Sequence, residues 1–232
     1  MAKSPLIVFD LDGTLIDTAP DLVAAVNYVL HREGLQPLPM ESARKMIGSG
    51  ARALIERGLE QEGAIKTPAE VSRMTDDFIE YYRQHIADES RPFEGLDDAL
   101  DALAADGFRF AVCTNKLEGL SKLLLDKLEM SSRFAAICGA DTFGVSKPDP
   151  TPLRETVARA GGELATAIMV GDSGTDIGAA RRAGIPVIGV TFGYTLVPIE
   201  DLKPDRLIAH MRDLPAAVTG LSVARNPDKQ LI

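Results

Sequence analysis

The sequence predicts an α/β fold, with a doubly wound parallel-sheet core interrupted after its first strand by an inserted all-helical cap domain. Three observations carry this expectation. Apolar runs recur at Leu6–Phe9, Phe108–Cys113, Phe134–Cys138, Ala167–Val170, Pro186–Val190 and Arg206–Ile208. Most are too continuous for a sheet with one wet face and read as strands buried on both sides. Helical patterns separate the later runs, and such alternation implies a parallel sheet covered by helices on both faces. Between Leu15 and about Ser90 the pattern changes to helices in sequence, with no convincing strand.

In chain order, the first strand stops at Asp10, and Pro20 then suits the first turn of a helix over Asp21–Glu33 that Gly34 ends. A second helix is expected from about Met40 to Met46 and a third from Ala51 to Glu62. Thr67-Pro68-Ala69-Glu70 is a capping box opening a long fourth helix to about His85. Beyond the insertion, Leu96–Ala105 has helical spacing and stops at Gly107. Leu117–Leu128, Thr151–Ala160 and Asp176–Ala183 follow, the last stopped by Gly184. The stretch Ser222–Ile232 has no periodic pattern and is expected to fray. The expected division is therefore a core made of 1–16 and 92–232 and a cap of 17–91, with hinges near Asp17 and Ser90–Gly95.

A chain of 232 residues with 45% hydrophobic and 25% charged residues has ordinary globular composition and is expected to fold as a soluble protein. Its net charge of −9 argues against nucleic acid and anionic membranes as partners, since both require basic patches. An anionic substrate must then be held by a local set of cations and amides. Cys113 and Cys138 end apolar runs and read as small buried hydrophobes; His31, His85 and His210 show no ligand spacing. The four apolar residues before Asp10 are too few for a signal peptide, and no run approaches the roughly 18 residues of a membrane span. The cytoplasm is the default location, and a monomer or homodimer the default assembly.

Ligands of open parallel sheets bind outside the carboxyl ends of the strands, so the residues following each run are the candidates for chemistry. They are Asp10 and Asp12, Thr114 and Asn115, Ser146-Lys147-Pro148, and Gly171-Asp172-Ser173-Gly174-Thr175-Asp176. Four carboxylates in one cleft call for a cation, and an all-oxygen set suits Mg²⁺ better than Zn²⁺. Asp10 and Asp172 are the natural direct ligands, with Asp176 a further carboxylate beside them. Thr114, Asn115 and Lys147 suit a phosphoryl group. Aspartate is a known covalent nucleophile for phosphoryl groups, and an acid two residues beyond Asp10 can protonate the departing alcohol and later take a proton from water.

At this point FDLDGTLIDT, the Cys-Thr-Asn of Cys113–Asn115, Ser146–Pro150 and Gly171–Asp176 resemble the four ordered motifs of the haloacid dehalogenase superfamily. The resemblance covers nearly the whole chain and implies a Rossmann-like core and a mobile cap. It also implies that Asp10 is the nucleophile, Asp12 the general acid/base, and Thr114 and Lys147 phosphate-side residues. Mg²⁺ would be held by Asp10, Asp172 and the main-chain carbonyl of Asp12. Within the superfamily, Ile47–Leu59 and Gly189–Ile208 are similar to bacterial phosphoglycolate phosphatases, with a departure at Ser49, where that family commonly carries Asn or His.

In the cap, Gly48-Ser49-Gly50 before the Ala51 helix presents either amides suited to an anion or a plain helix–helix turn. With Gly50 and Arg52, that segment is a candidate for the carboxylate of a small phosphorylated acid. Tyr81 and Tyr82, with Phe78 and Ile79, read as cap core. Three rival readings stay open: a phosphatase or phosphomutase for another small substrate, a dehalogenase, and a phosphoaspartate receiver module.

Overall fold

A computed structural model describes residues 4–44, 46–48, 50–195 and 197–225. The chain opens with strand β1 (Leu6–Phe9) and a two-residue strand β2 (Ile16–Asp17), followed by helices α1 (Ala19–Arg32), α2 (Met40–Arg44), α3 (Ala51–Gln61) and α4 (Pro68–Gln84). A second two-residue strand, β3 (Arg91–Pro92), leads to α5 (Leu96–Ala105), β4 (Arg109–Cys113), α6 (Glu118–Lys127), β5 (Phe134–Cys138) and α7 (Thr151–Arg159). The remainder is β6 (Ala167–Gly171), α8 (Gly174–Ala183), β7 (Val187–Val190), β8 (Arg206–Ile208) and α9 (Leu214–Arg225).

Six strands form one parallel sheet in the order β5-β4-β1-β6-β7-β8. The order reverses at β1, and the crevice between β1 and β6 is the place where a doubly wound sheet binds its ligand. Side-chain alternation along each strand feeds two separate cores. Ile7, Phe9, Phe110, Val112, Ile168 and Val170 enter one, with α5, α6, α9 and the cap helices. Leu6, Val8, Ala111, Cys113, Ala167 and Met169 enter the other, with α7 and α8. Both faces are dry, which explains the uninterrupted apolar runs.

The helical insertion follows the expected plan. Pro20 lies in the first turn of α1, and Thr67 and Glu70 form the reciprocal capping box of α4. Glu33 pins the cap internally by accepting from Lys66 Nζ and Arg73 Nη2, both at 2.6 Å. Those two hydrogen-bonded cations hold its carboxyl below the ordinary value.

Four expectations need correction. A strand was not expected at the insertion's ends, yet β2 and β3 pair antiparallel, Ile16 opposite Pro92 and Asp17 opposite Arg91. Two-residue strands carry no period a sequence pattern can show. This ribbon joins the two ends of the insertion, and buried Asp21 reinforces it by accepting from the N–H of Glu89 and from both N–H and Oγ of Ser90. The second helix ends at Arg44 rather than Met46, and α8 begins at Gly174, because Ser173 serves as its N-cap. The stretch from Ser222 is helical as far as Arg225, and residues 226–232 lie outside the described residues.

Candidate active site

Asp10 is held by the sheet itself. Its N–H donates to Val170 O at 2.9 Å, continuing the β1–β6 ladder one residue past the strand. The chain then turns back sharply, with the Leu11 carbonyl accepting from the N–H groups of Leu15 and Ile16 at 3.0 Å. Gly13 makes that turn at φ +82°, and a Cβ there would lie 2.5 Å from Asp172 Oδ2. Only glycine fits both the backbone and the space. Thr14 directs its hydroxyl to Asp172 Oδ1 at 3.4 Å.

Carboxylate oxygens of Asp10, Asp172 and Asp176 all lie within 4.8 Å of one another, and all three residues are buried. Among the described residues, one cation pairs with two of them. Lys147 Nζ is 2.6 Å from Asp176 Oδ1 and 2.8 Å from Asp10 Oδ1, with its side chain only 1% exposed. The contact to Asp10 is an ion pair without hydrogen-bond alignment, so Asp10 Oδ1 is buried with no hydrogen bond. Burial pushes the Asp10 carboxyl up to about 6, against the pull of Lys147. Asp172 is pushed well above its ordinary value by burial and by the charges of Asp176 and Asp10. Burial opposes the charge on Lys147, but Asp10 and Asp176 outweigh it and hold the ammonium protonated. Such a cluster is short of positive charge.

Asp176 has little left to offer a metal. Beyond Lys147, its Oδ2 accepts from Ser173 N at 3.0 Å and Ser173 Oγ at 2.6 Å. Asp172 Oδ2 accepts from Tyr194 N at 2.6 Å. The all-oxygen set with an under-satisfied Asp10 fits a hard divalent cation, with Asp10 and Asp172 as its carboxylates and Asp176 bracing Lys147.

The Asp12 side chain stands apart from this cluster. It accepts from Thr18 Oγ1 at 2.7 Å and from Lys116 Nζ at 2.9 and 3.1 Å. The two acids of Asp-Leu-Asp thus face different partners, as a division between nucleophile and acid/base requires. Thr114 is buried and lines the cleft. The Asn115 side chain clamps the main chain of Lys147, accepting from its N–H at 2.9 Å and donating to its carbonyl at 3.0 Å. That amide therefore positions the lysine rather than reaching for phosphate. From the cap, Gly50 and Arg52 line the same cleft, while Arg52 Nε pairs with Glu56 at 2.7 Å; Ser49 lies outside the described residues.

Three residues escaped the sequence reading. Lys116 is the buried partner of Asp12. Tyr82 is cap core as expected, but its ring also lies 4.5 Å beneath Lys116 Nζ. Tyr194 connects the acidic cluster to the start of the insertion: its N–H donates to Asp172, and its hydroxyl donates to Asp17 and accepts from Ala19 N at 3.1 Å. Nothing in local pattern marks these roles, because each partner is distant in sequence or in the other domain. Cys113 and Cys138 are free and buried, partners in adjacent strands, as expected of packing residues.

Comparison with known proteins places the chain in a family. Residues 7–190 match the family model described as haloacid dehalogenase-like hydrolase. The chain is 45% identical over 226 residues to a phosphoglycolate phosphatase of Caulobacter vibrioides, covering 97% of this chain and 95% of that one. It is 46% identical over 205 residues to one from Agrobacterium fabrum, covering 88% of each. The crystal structure of a predicted phosphoglycolate phosphatase from Haemophilus somnus superposes with a TM-score of 0.86 at 31% identity, over 94% of this chain and 99% of that one.

Proposed function

We propose, from the premise that this chain belongs to the haloacid dehalogenase-like hydrolases, that it hydrolyses 2-phosphoglycolate to glycolate and phosphate through an aspartyl-phosphate on Asp10. The observation that carries the reading is the pair of carboxylates on one turn with opposite surroundings. Asp10 lies in the acidic cluster beside Lys147, whereas Asp12 is drawn aside by Lys116 and Thr18.

In this reading an Asp10 carboxylate oxygen attacks phosphorus while the bond from phosphorus to the ester oxygen breaks. Asp12 gives its proton to the departing alkoxide. It then takes a proton from the water that attacks the phosphorus of the aspartyl-phosphate, and Asp10 leaves as a carboxylate. Lys147 neutralises charge on Asp10 and the transferring group, and Thr114 donates its hydroxyl to a phosphoryl oxygen. Mg²⁺, held by Asp10, Asp172 and the Asp12 carbonyl, would supply further positive charge to the phosphoryl oxygens.

The cleft, a cavity of about 280 Å³ between the cap and the strand ends, suits a small metabolite. We propose the boundaries 17–91 for the cap and 1–16 with 92–232 for the core, with the β2–β3 ribbon as the hinge that admits substrate. Among the described residues no helix is long and apolar enough to cross a membrane.

The test is turnover of 2-phosphoglycolate, hexose phosphates, nucleotides, pyrophosphate and a haloacid, with Mg²⁺ and with chelator. The expected result is Mg²⁺-dependent release of phosphate, fastest from 2-phosphoglycolate. Faster turnover of another member of the panel would replace the substrate; halide release without Mg²⁺ would replace the reaction.

A further inference from the structure

We infer that Lys116 is the residue that binds the carboxylate of the substrate's leaving group; the inference rests on the phosphoglycolate reading above. The argument starts from distance. In 2-phosphoglycolate a single CH₂ separates the ester oxygen from the carboxylate. The group that protonates the ester oxygen must sit about 2.7 Å from it. Lys116 Nζ is 2.9 Å from Asp12 Oδ1. A cation hydrogen-bonded to the general acid therefore stands beside the leaving oxygen, where a carboxylate one carbon away must lie.

Charge and burial single out the same side chain. Among the described residues lining the cavity, the cations are Arg52, Lys116 and Lys147. Lys147 is engaged by Asp10 and Asp176 at the phosphoryl end. Arg52 pairs with Glu56, and its side chain is 53% exposed. Lys116 is 6% exposed, and Leu54, Phe78 and Ile79 give the cap side of the cavity an apolar stretch. An ammonium has three donors. It pairs with both oxygens of Asp12 and lies over the ring of Tyr82, and a second carboxylate can share the charge.

The lysine is also preorganised. Its N–H donates to Thr114 Oγ1 at 3.2 Å, and its carbonyl accepts from Ala140 N at 3.0 Å. Gly139 packs so tightly there that a Cβ would lie 2.5 Å from the Lys116 carbonyl oxygen. The main chain of Lys116 is thereby tied to the loops after β4 and β5, while its ammonium meets the cap through Tyr82. Specificity for an acid is built into the core motif that also touches phosphate, with the cap closing over it.

The experiment compares kcat/KM for 2-phosphoglycolate and for ethyl phosphate, which keeps the ester oxygen and CH₂ but replaces the carboxylate with a methyl group. Enzymes are wild type, Lys116→Gln, Lys116→Arg and Arg52→Gln, all with Mg²⁺. The ratio of the two substrates cancels any fraction of misfolded protein and any shared loss through Asp12. The expected result is a wild-type preference for 2-phosphoglycolate that falls at least tenfold in Lys116→Gln, mainly through KM. It recovers in Lys116→Arg and stays intact in Arg52→Gln. A preference that survives Lys116→Gln, or that collapses in Arg52→Gln instead, overturns this assignment and leaves the substrate reading standing. A wild-type enzyme with no preference overturns the substrate reading and this assignment together.

Discussion

Asp10→Asn abolishes turnover, lowering kcat by roughly five orders of magnitude or more, the scale on which covalent catalysis fails when its nucleophile is removed. The fold survives, and in chelator it becomes firmer. Asp10 titrates near 6 in the folded protein against an ordinary 3.8, so the folded state holds this proton more tightly than the unfolded chain does. The stabilisation from that proton is full below about pH 3.8 and is lost as pH rises through about 6, a difference on the order of 3 kcal/mol. A neutral asparagine escapes the loss. The thermal midpoint of metal-free Asp10→Asn therefore exceeds that of wild type at pH 8, and the gap closes toward pH 4. Mg²⁺ raises the wild-type midpoint at pH 8 and raises the variant's much less. A metal-free variant less stable than wild type at pH 8 contradicts this electrostatic account.

Lys147→Met has the larger effect on stability. The lysine is the cation paired to Asp10 and Asp176, and Asp172 adds a third buried carboxylate to the cluster. Removing one partner of a buried pair costs roughly 3–5 kcal/mol, because the remaining charge loses its compensation. The metal-free variant is expected to lose that much at pH 7 by denaturant titration. Acidification restores part of it, since Asp10 and Asp172 already bind protons more tightly than usual and hold them more tightly still without the ammonium. Mg²⁺ also restores stability. It does not restore kcat, which falls roughly a thousandfold with the loss of a donor aimed at the transferring group. Unchanged stability at pH 7 would show that the acids do not depend on this lysine.

Much of this arrangement was legible in the sequence because it obeys short-range rules. Leu6–Phe9 and Ala167–Val170 announce themselves as strands because both faces are dry, and the acids that follow them stand at strand ends because Asp10 is the first residue beyond β1. The capping box at Thr67 and the αL stop at Gly184 are equally local. What escaped is what the fold assembles across distance. The Lys116 pair with Asp12 spans 104 positions and the Tyr194 bond to Asp17 spans 177, with no pattern linking either pair. The β2–β3 ribbon is too short to show a period, and α9 is rich in small and apolar residues all round, leaving no polar face to mark it as a helix. Asn115 was legible as a polar residue at a strand end, but not as the clamp on Lys147, because that role exists only once the two loops meet.

The central claim is that the phosphoryl group passes through Asp10 and that Asp12 is needed to release it. Its most direct measurement is acid quench of Asp12→Ala after mixing with 2-phosphoglycolate and Mg²⁺, followed by mass spectrometry of the peptide containing Leu6–Leu15. The account predicts a phosphoryl group on Asp10 that accumulates in this variant and not in Asp10→Asn. Full turnover by Asp12→Ala with no phosphorylated peptide, or phosphate found on another residue, would contradict it.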